Sequence, residues 1–177
     1  MKPFVDWCSH AYRNYPNFRF QHIDVYNKHY NPDSKNEAKN YRFPFKDESF
    51  DLIYMTSVFT HMRKPDVENY LKEVSRMLKR GGICFITYFL INEETLKCID
   101  SGLSTRKFKK LDDVTYTDSP SLPEKAIALQ EDYIRQIYKK CDLELLDGNP
   151  VYGAWRNPNE MNRRVEHNQD RISAYKK

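Results

Sequence analysis

The residue best equipped for proton transfer is His61, in the segment Ser57-Val58-Phe59-Thr60-His61-Met62. An imidazole titrates near neutral pH and suits a general base on a ligand-facing loop. A histidine at a helix start with no catalytic duty has the same sequence context. Asp24 closes a strand-like stretch, at a carboxyl end of the kind where open α/β sheets bind ligands; a helix cap or turn is its plainer role. Tyr88 and Phe89 end the most apolar stretch and suit either a substrate pocket or the core. Tyr26, Tyr30 and Tyr41, with Lys28, Lys35 and Lys39 nearby, have the types that stack bases. Cys8, Cys84, Cys98 and Cys141 contain no pair at the spacing of a metal knuckle or redox motif, so no metal site is expected. Only five glycines occur and the first is Gly81, so no glycine-rich turn in the leading residues can cradle a phosphate.

These residues need elements to hold them. Phe4, Trp7, Cys8 and Ala11 recur at helical spacing, predicting a short helix over 4–13 that Pro16 terminates. Residues 18–24 alternate as a strand, and 26–46 form a long, polar, aromatic connection. Phe50 to Tyr54 reads as a buried strand. The helix predicted over 65–80 is the best signed: Pro65 suits its first turn, and Asp66 and Glu68 favour its positive end. Val67, Tyr70, Leu71, Val74 and Leu78 make its apolar stripe, and Gly81-Gly82 supplies a left-handed stop. Residues 83–91 are almost continuously apolar, as in a central strand covered on both faces. Strand, helix and strand form a βαβ unit with a right-handed crossover. Residues 101–123 read as a loop or lid, 124–141 as a helix, 143–146 as a strand and 170–176 as a last antiparallel strand.

The 177 residues suit a single domain. Charged residues are 31% of the chain but the net charge is only +4, and this small excess, with no RNA-binding module, argues against a nucleic-acid partner. The run Arg106 to Lys110 reads as a solvated face. No apolar run reaches the length of a membrane span. Scattered cysteines and the absence of an apolar leader point to a reduced, cytoplasmic protein.

Tyr41-Arg42-Phe43-Pro44-Phe45-Lys46-Asp47-Glu48-Ser49-Phe50-Asp51-Leu52-Ile53-Tyr54 resembles the "fPf.d.sFDlI" signature of class I SAM-dependent methyltransferases. Ser57 to Met62 resembles the segment that follows it. Leu71 to Gly82 resembles the "l.e..RvLKpGG" beyond, with Arg80 where proline is usual. The likeness covers residues 15–92 well and continues weakly through Gly153-Ala154-Trp155-Arg156 and Gln169-Asp170. It implies a Rossmann-like α/β three-layer sandwich, S-adenosyl-L-methionine as cofactor, and transfer of a methyl group to an acceptor, expected to be a small molecule. It places Asp24 and Val25 near the adenine, and Ser57 and Val58 beside the cofactor through backbone groups. His61 becomes the candidate base, although methyl transfer can run on proximity alone. Tyr88 and Phe89 become candidate substrate contacts.

The family's "D.G.G.G" loop, its first helix and its second strand have no counterpart here, so an incomplete domain lacking the first two strands is expected. The family's sheet order, 3-2-1-4-5-7-6, would leave strands 18–24 and 50–54 roughly 14 Å apart. Either strand 18–24 moves over to pair with 50–54, or an edge stays open to self-association or to a complementing N-terminal chain. A methyltransferase-like remnant or interaction module without SAM binding is the alternative function.

Overall fold

The computed structural model describes residues 2–160 and 168–177. Its main sheet is built from β1 (Phe50–Met55), β2 (Leu78–Tyr88), β7 (Leu143–Leu145) and β8 (Asp170–Lys176), in the order β1-β2-β8-β7. β1 and β2 are parallel, and β8 is antiparallel to both its neighbours. This is the order expected of the family's fourth, fifth, seventh and sixth strands. Helix α2 (Lys64–Met77) connects β1 to β2, and α4 (Glu131–Lys140) precedes β7.

Both helices lie on one face of this sheet. Val67, Leu71 and Val74 of α2 and Ile134, Ile137 and Tyr138 of α4 pack on Cys84, Ile86, Ile172 and Ala174. Each fully buried aliphatic side chain there contributes about 1.5–3 kcal/mol relative to exposure. Asp66 accepts from the Arg63 N–H at 3.3 Å, which fixes the start of α2. The helix ends at Met77 rather than at the glycine pair, and β2 starts at once with Leu78. Gly81, at φ +74°, then sits in a bulge: Phe50 pairs with Leu78 but Leu52 with Ile83.

The opposite face of the sheet carries Leu52 and Tyr54, exposed by 60% and 62%. Ile83 and Phe85 beside them are half-buried, with Phe85 stacked on Tyr54 at 5.1 Å. Burial of β2 on both faces, expected from its apolar run, therefore holds only at its end. An apolar run does not reveal whether a second helical layer is there to cover it.

A smaller sheet, in the order β3-β6-β5-β4, contains β3 (Leu90–Ile91), β4 (Lys109–Lys110), β5 (Thr115–Thr117) and β6 (Ile127–Gln130). The predicted strand 83–91 is thus divided between two sheets at Phe89. The segment 101–123 is not all loop: β5 is buried throughout. Residues 127–130, read as helix, form β6, because Ile127, Ala128 and Leu129 are buried on both sides and α4 begins only at Glu131. α3 (Glu93–Asp100) had no prediction; its Asn92 side chain accepts from the Thr95 N–H. Phe89, Phe108 and Trp155 form a ring triad with centroids 5.2–5.4 Å apart at the centre of this second core.

α1 (Lys2–Ala11) forms as expected but buries no residue. Residues 18–24 form no strand, and among the described residues nothing pairs with the outer edge of β1. Of the two expected outcomes the open edge is the one found. Phe18 and Phe20 instead close a small aromatic cluster with Tyr12 and Tyr15.

Glycine is required most strictly at Gly153. A Cβ there would stand 2.5 Å from the Asn168 carbonyl oxygen and the Gln169 carbonyl carbon, both backbone atoms. Gly81 has a left-handed backbone but nothing within 4 Å. Gly81→Ala should cost about 1 kcal/mol, the ordinary left-handed penalty. Gly153→Ala should cost more than about 3 kcal/mol in urea unfolding, since two backbones must separate. Equal losses would show that the close approach has no consequence.

Candidate functional site

β1 ends at Met55, and the chain then makes a sharp turn on Ser57, whose φ is +54°. A non-glycine residue in that region needs compensation. It comes from Thr87 at the end of β2, whose Oγ1 accepts from the Ser57 N–H at 2.9 Å. Gln169, just before β8, adds bonds to both Thr87 and Ser57. The carboxyl ends of β1 and β2 are thus laced together where this class of sheet places its ligands.

Against that turn lies a cleft of about 430 Å³, within the range of about 300–1,000 Å³ usual for small-molecule sites. Its floor is Met55, Ser57, Val58 and His61; Val25, Tyr26 and Tyr30 face them from the 26–46 connection, and Asp66 and Tyr70 close it from α2. The connection is anchored by Asn27, whose carboxamide oxygen accepts from the N–H groups of His29 and Tyr30. Its amide nitrogen donates to the His61 carbonyl at 3.1 Å. Farther along, Asn69 of α2 donates to the carbonyls of Ala38 and Tyr41.

The His61 ring has a defined tautomer. Nδ1 lies 2.9 Å from the Glu124 carbonyl oxygen, which can only accept, so Nδ1 carries the hydrogen. Nε2 is left to accept, and the Tyr30 hydroxyl stands 3.3 Å away with its ring edge-on. Burial lowers the imidazole's affinity for a proton, with His29 and Arg106 adding to it, and outweighs the Glu124 carbonyl. His61 is therefore a neutral acceptor at pH 7. Asp66 moves the other way, burial holding its carboxyl above the usual range. Burial also pushes the Tyr70 phenol up to about 12.

Of the residues singled out in the sequence, Val25, Ser57, Val58 and His61 line this one cleft. Asp24 does not. Successive residues of an extended chain face opposite ways, so with Ile23 and Val25 lining the cleft Asp24 faces out, its carboxylate held by Asn31 at 2.8 Å. Tyr88 and Phe89 are also elsewhere. Tyr88 is 1% exposed with its hydroxyl 3.0 Å from that of Tyr138, and Phe89 is 3% exposed within the ring triad. Asn27 and Asp66 carry cleft functions that the sequence reading missed. The Asn27 signal was available, since asparagine two and three residues before backbone donors forms an Asx turn.

An α/β sheet with an aromatic cleft at the carboxyl ends of its parallel strands defines a Rossmann-like domain. Residues 5–86 match the model of a family described as a methyltransferase domain, so the class I methyltransferase resemblance of the sequence holds. The YcgJ protein of Bacillus subtilis is similar in structure at a TM-score of 0.55, with 15% identity over 100% of this chain and 80% of that one. The 1,6-didemethyltoxoflavin-N1-methyltransferase of Burkholderia thailandensis, solved with S-adenosylhomocysteine and 1,6-didemethyltoxoflavin bound, gives 0.53, with 13% identity over 97% of this chain and 56% of that one. A SAM-dependent methyltransferase of Thermotoga maritima, a possible histamine N-methyltransferase, shares 20% identity over 80% of this chain at a TM-score of 0.47, and the chain spans 62% of its length. At such identities the first two likenesses show the fold alone.

The cleft suits one end of SAM. Val25, Val58 and the ring of Tyr30 offer flat apolar walls to a purine, with Asn27 and Tyr26 as polar neighbours. Toward the methionine end, the Ser57 N–H is occupied by Thr87.

His61 gives the pH test of this geometry. Its proton affinity in the folded chain is below the ordinary 6.5, so folding resists protonation. Its contribution is complete above pH 6.5 and is lost as pH falls from there toward the lowered folded-state value. Stability measured in urea should therefore decline between about pH 7 and pH 5 more steeply in the wild type than in His61→Gln. A ring resonance titrating at or above 6.5 would contradict the buried, carbonyl-held imidazole.

Proposed function

We propose that this chain is a methyltransferase domain whose cleft takes the adenosine end of S-adenosylmethionine, with a small molecule as methyl acceptor. The observation that supports this most is the cleft's origin. Ser57, Val58, His61 and Met62 of its floor come from the motif segment 57–62 that follows β1, and Phe43 from the segment 41–54, both of which carry the family resemblance.

When bound, the cofactor supplies a methyl group attached to a positive sulfur, ready for attack by a nucleophile. The chain's own part is to bind and orient. Val25, Val58 and the ring of Tyr30 would hold the adenine end, and the Ser57 turn would place the Val58 backbone beside it. His61, neutral and with no hydrogen on Nε2, would be the group able to take a proton from an acceptor hydroxyl or amine brought beside it. The Glu124 carbonyl at Nδ1 would stabilise the resulting charge. The unpaired cysteines, Cys84 among them with burial raising its thiol to about 12, fit a reduced compartment such as the cytoplasm.

A second reading is favoured by one observation, that the Ser57 N–H at the cleft floor is already taken by Thr87 Oγ1. In that reading the chain is a non-catalytic methyltransferase-like remnant or interaction module without SAM binding. Calorimetry with S-adenosylhomocysteine and with adenosine separates the two. The proposal expects both to bind, and Tyr30→Ala to weaken both by roughly tenfold, the worth of one stacked ring. No heat from either ligand at millimolar concentration would overturn it in favour of the second reading.

A further inference from the structure

Two apolar surfaces of this chain have no partner among the described residues. One is the α1 stripe: Phe4 and Trp7 are each exposed by 64%, and no α1 residue is buried. The other is the uncovered face of the main sheet, with Leu52 at 60% and Tyr54 at 62%. The first is a convex, aromatic, amphipathic helix. The second is a sheet face that is apolar along β1 and β2, where Leu52, Tyr54, Ile83 and Phe85 lie together. Each is what the other lacks.

α1 does not cover the face of its own chain, and the intervening segment accounts for that. Residues 12–20 are gathered into a knot by the Tyr15 N–H to Tyr12 carbonyl and Phe18 N–H to Tyr15 carbonyl bonds. Rings of Tyr12, Phe18 and Phe20 in it have centroids 5.3–6.4 Å apart. Beyond the knot the chain is pinned on the helical side, where Asn36 donates to the Asp24 carbonyl and Asn27 to that of His61. The knot shortens the tether and holds α1 away from its own sheet.

We propose that the bare sheet face is the docking site for α1 of a second copy of this chain, given reciprocally in a twofold dimer. Exposed area supports a dimer of this kind. With about 200 Å² per large side chain, the exposed fractions of Phe4, Trp7, Leu52 and Tyr54 leave roughly 500 Å² of apolar area per chain. A standard interface buries about 800 Å² per partner, a little over half of it apolar, or about 450 Å². The reciprocal arrangement also closes on itself, so it ends at two copies.

The test uses the full chain, because the substituted side chains are exposed and folding can be verified by circular dichroism. Sedimentation velocity over a concentration series should show a dimer in equilibrium with monomer. Trp7→Asp and Tyr54→Lys should each raise the dissociation constant roughly tenfold or more, as loss of an aromatic anchor does. Leu103→Lys, an exposed loop position, should not. Mixing Trp7→Asp with Tyr54→Lys should restore association, since one α1-on-sheet contact in the mixed dimer is wholly wild type. The chain has two tryptophans and Trp155 is buried, so a concentration-dependent blue shift reports on Trp7. A monomer at every concentration would overturn the proposal; if its Trp7 emission is already blue-shifted, α1 covers its own chain instead. A dimer indifferent to both substitutions would overturn it too, and would assign association to the open β1 edge.

Discussion

The carboxylate of Asp170 holds the two halves of this molecule together. It is wholly buried at the start of β8, and it accepts from the Leu90 N–H at 2.6 Å, the Gly153 N–H at 2.8 Å and the Trp155 indole N–H at 2.9 Å. Leu90 begins the small sheet, Trp155 is the centre of its ring triad, and β8 belongs to the main sheet. One side chain therefore ties both sheets and the 151–157 connection. Burial pushes its proton affinity up to about 6 against the three donors and the nearby Arg156. Above that value the ion's desolvation is offset by three charge-assisted hydrogen bonds, each stronger than a neutral one. The close approach of Gly153 to Asn168 and Gln169 follows from this convergence, since its N–H must reach the carboxylate past their backbone.

The same convergence fixes the cleft from a distance. Gln169 precedes Asp170, so its carboxamide is delivered to Thr87 and Ser57 in a set position. That position stabilises the left-handed Ser57 and hence the direction in which Val58 and His61 leave β1. On the far side of the cleft the constraint is Glu73, 5% exposed, which accepts from the Phe43 N–H and from Arg76. Burial opposes the Glu73 charge, yet Arg76 and the Phe43 N–H hold its carboxyl below the usual range. Arg76 also reaches the carbonyls of Phe43 and Phe45, so the motif loop before β1 is bound to α2 by charge as well as by packing. The ligand-facing surface is thus held at both ends by buried carboxylates that never touch it.

Elements whose pattern is local were legible in the sequence, and those decided by distant packing were not. The α2 stripe, the terminating effect of Pro16 and the alternation of β8 each depend on neighbours along the chain. The division of 83–91 at Phe89 depends on Asp170, eighty residues away, and no local signal marks it. Residues 127–130 fit a helical pattern equally well; pairing with β5 and β3 makes them a strand. In the cleft, Val25, Ser57, Val58 and His61 were legible because they follow strand-like stretches. Asp24 was misplaced by one residue of alternation, the smallest error a strand pattern allows and one that turns a side chain to the other face. Tyr88 and Phe89 end an apolar strand, but two cores meet there and absorb them.

The uncovered face also explains why the domain can fold as it does. Among the described residues, twenty-two buried ones form one continuous cluster that fills the space between the main sheet and α2 and α4 and extends to Leu90, Ile127 and Leu129 of the small sheet. That core is complete without a layer on the other side, so nothing in the folding of the main sheet demands that Leu52 and Tyr54 be covered. The cleft lies on the completed side, built from β1, the 26–46 connection and α2. Ligand binding and covering of the bare face are therefore separable. Their one shared element is β1, whose alternate residues serve the two sides: Ile53 and Met55 inward, Leu52 and Tyr54 outward. A partner on the outer face restrains β1 directly and reaches the cleft only through Met55 and the Ser57 turn. Since Ser57 is already held by Thr87 and Gln169, that route is stiff, and occupancy of one side should leave the shape of the other little changed.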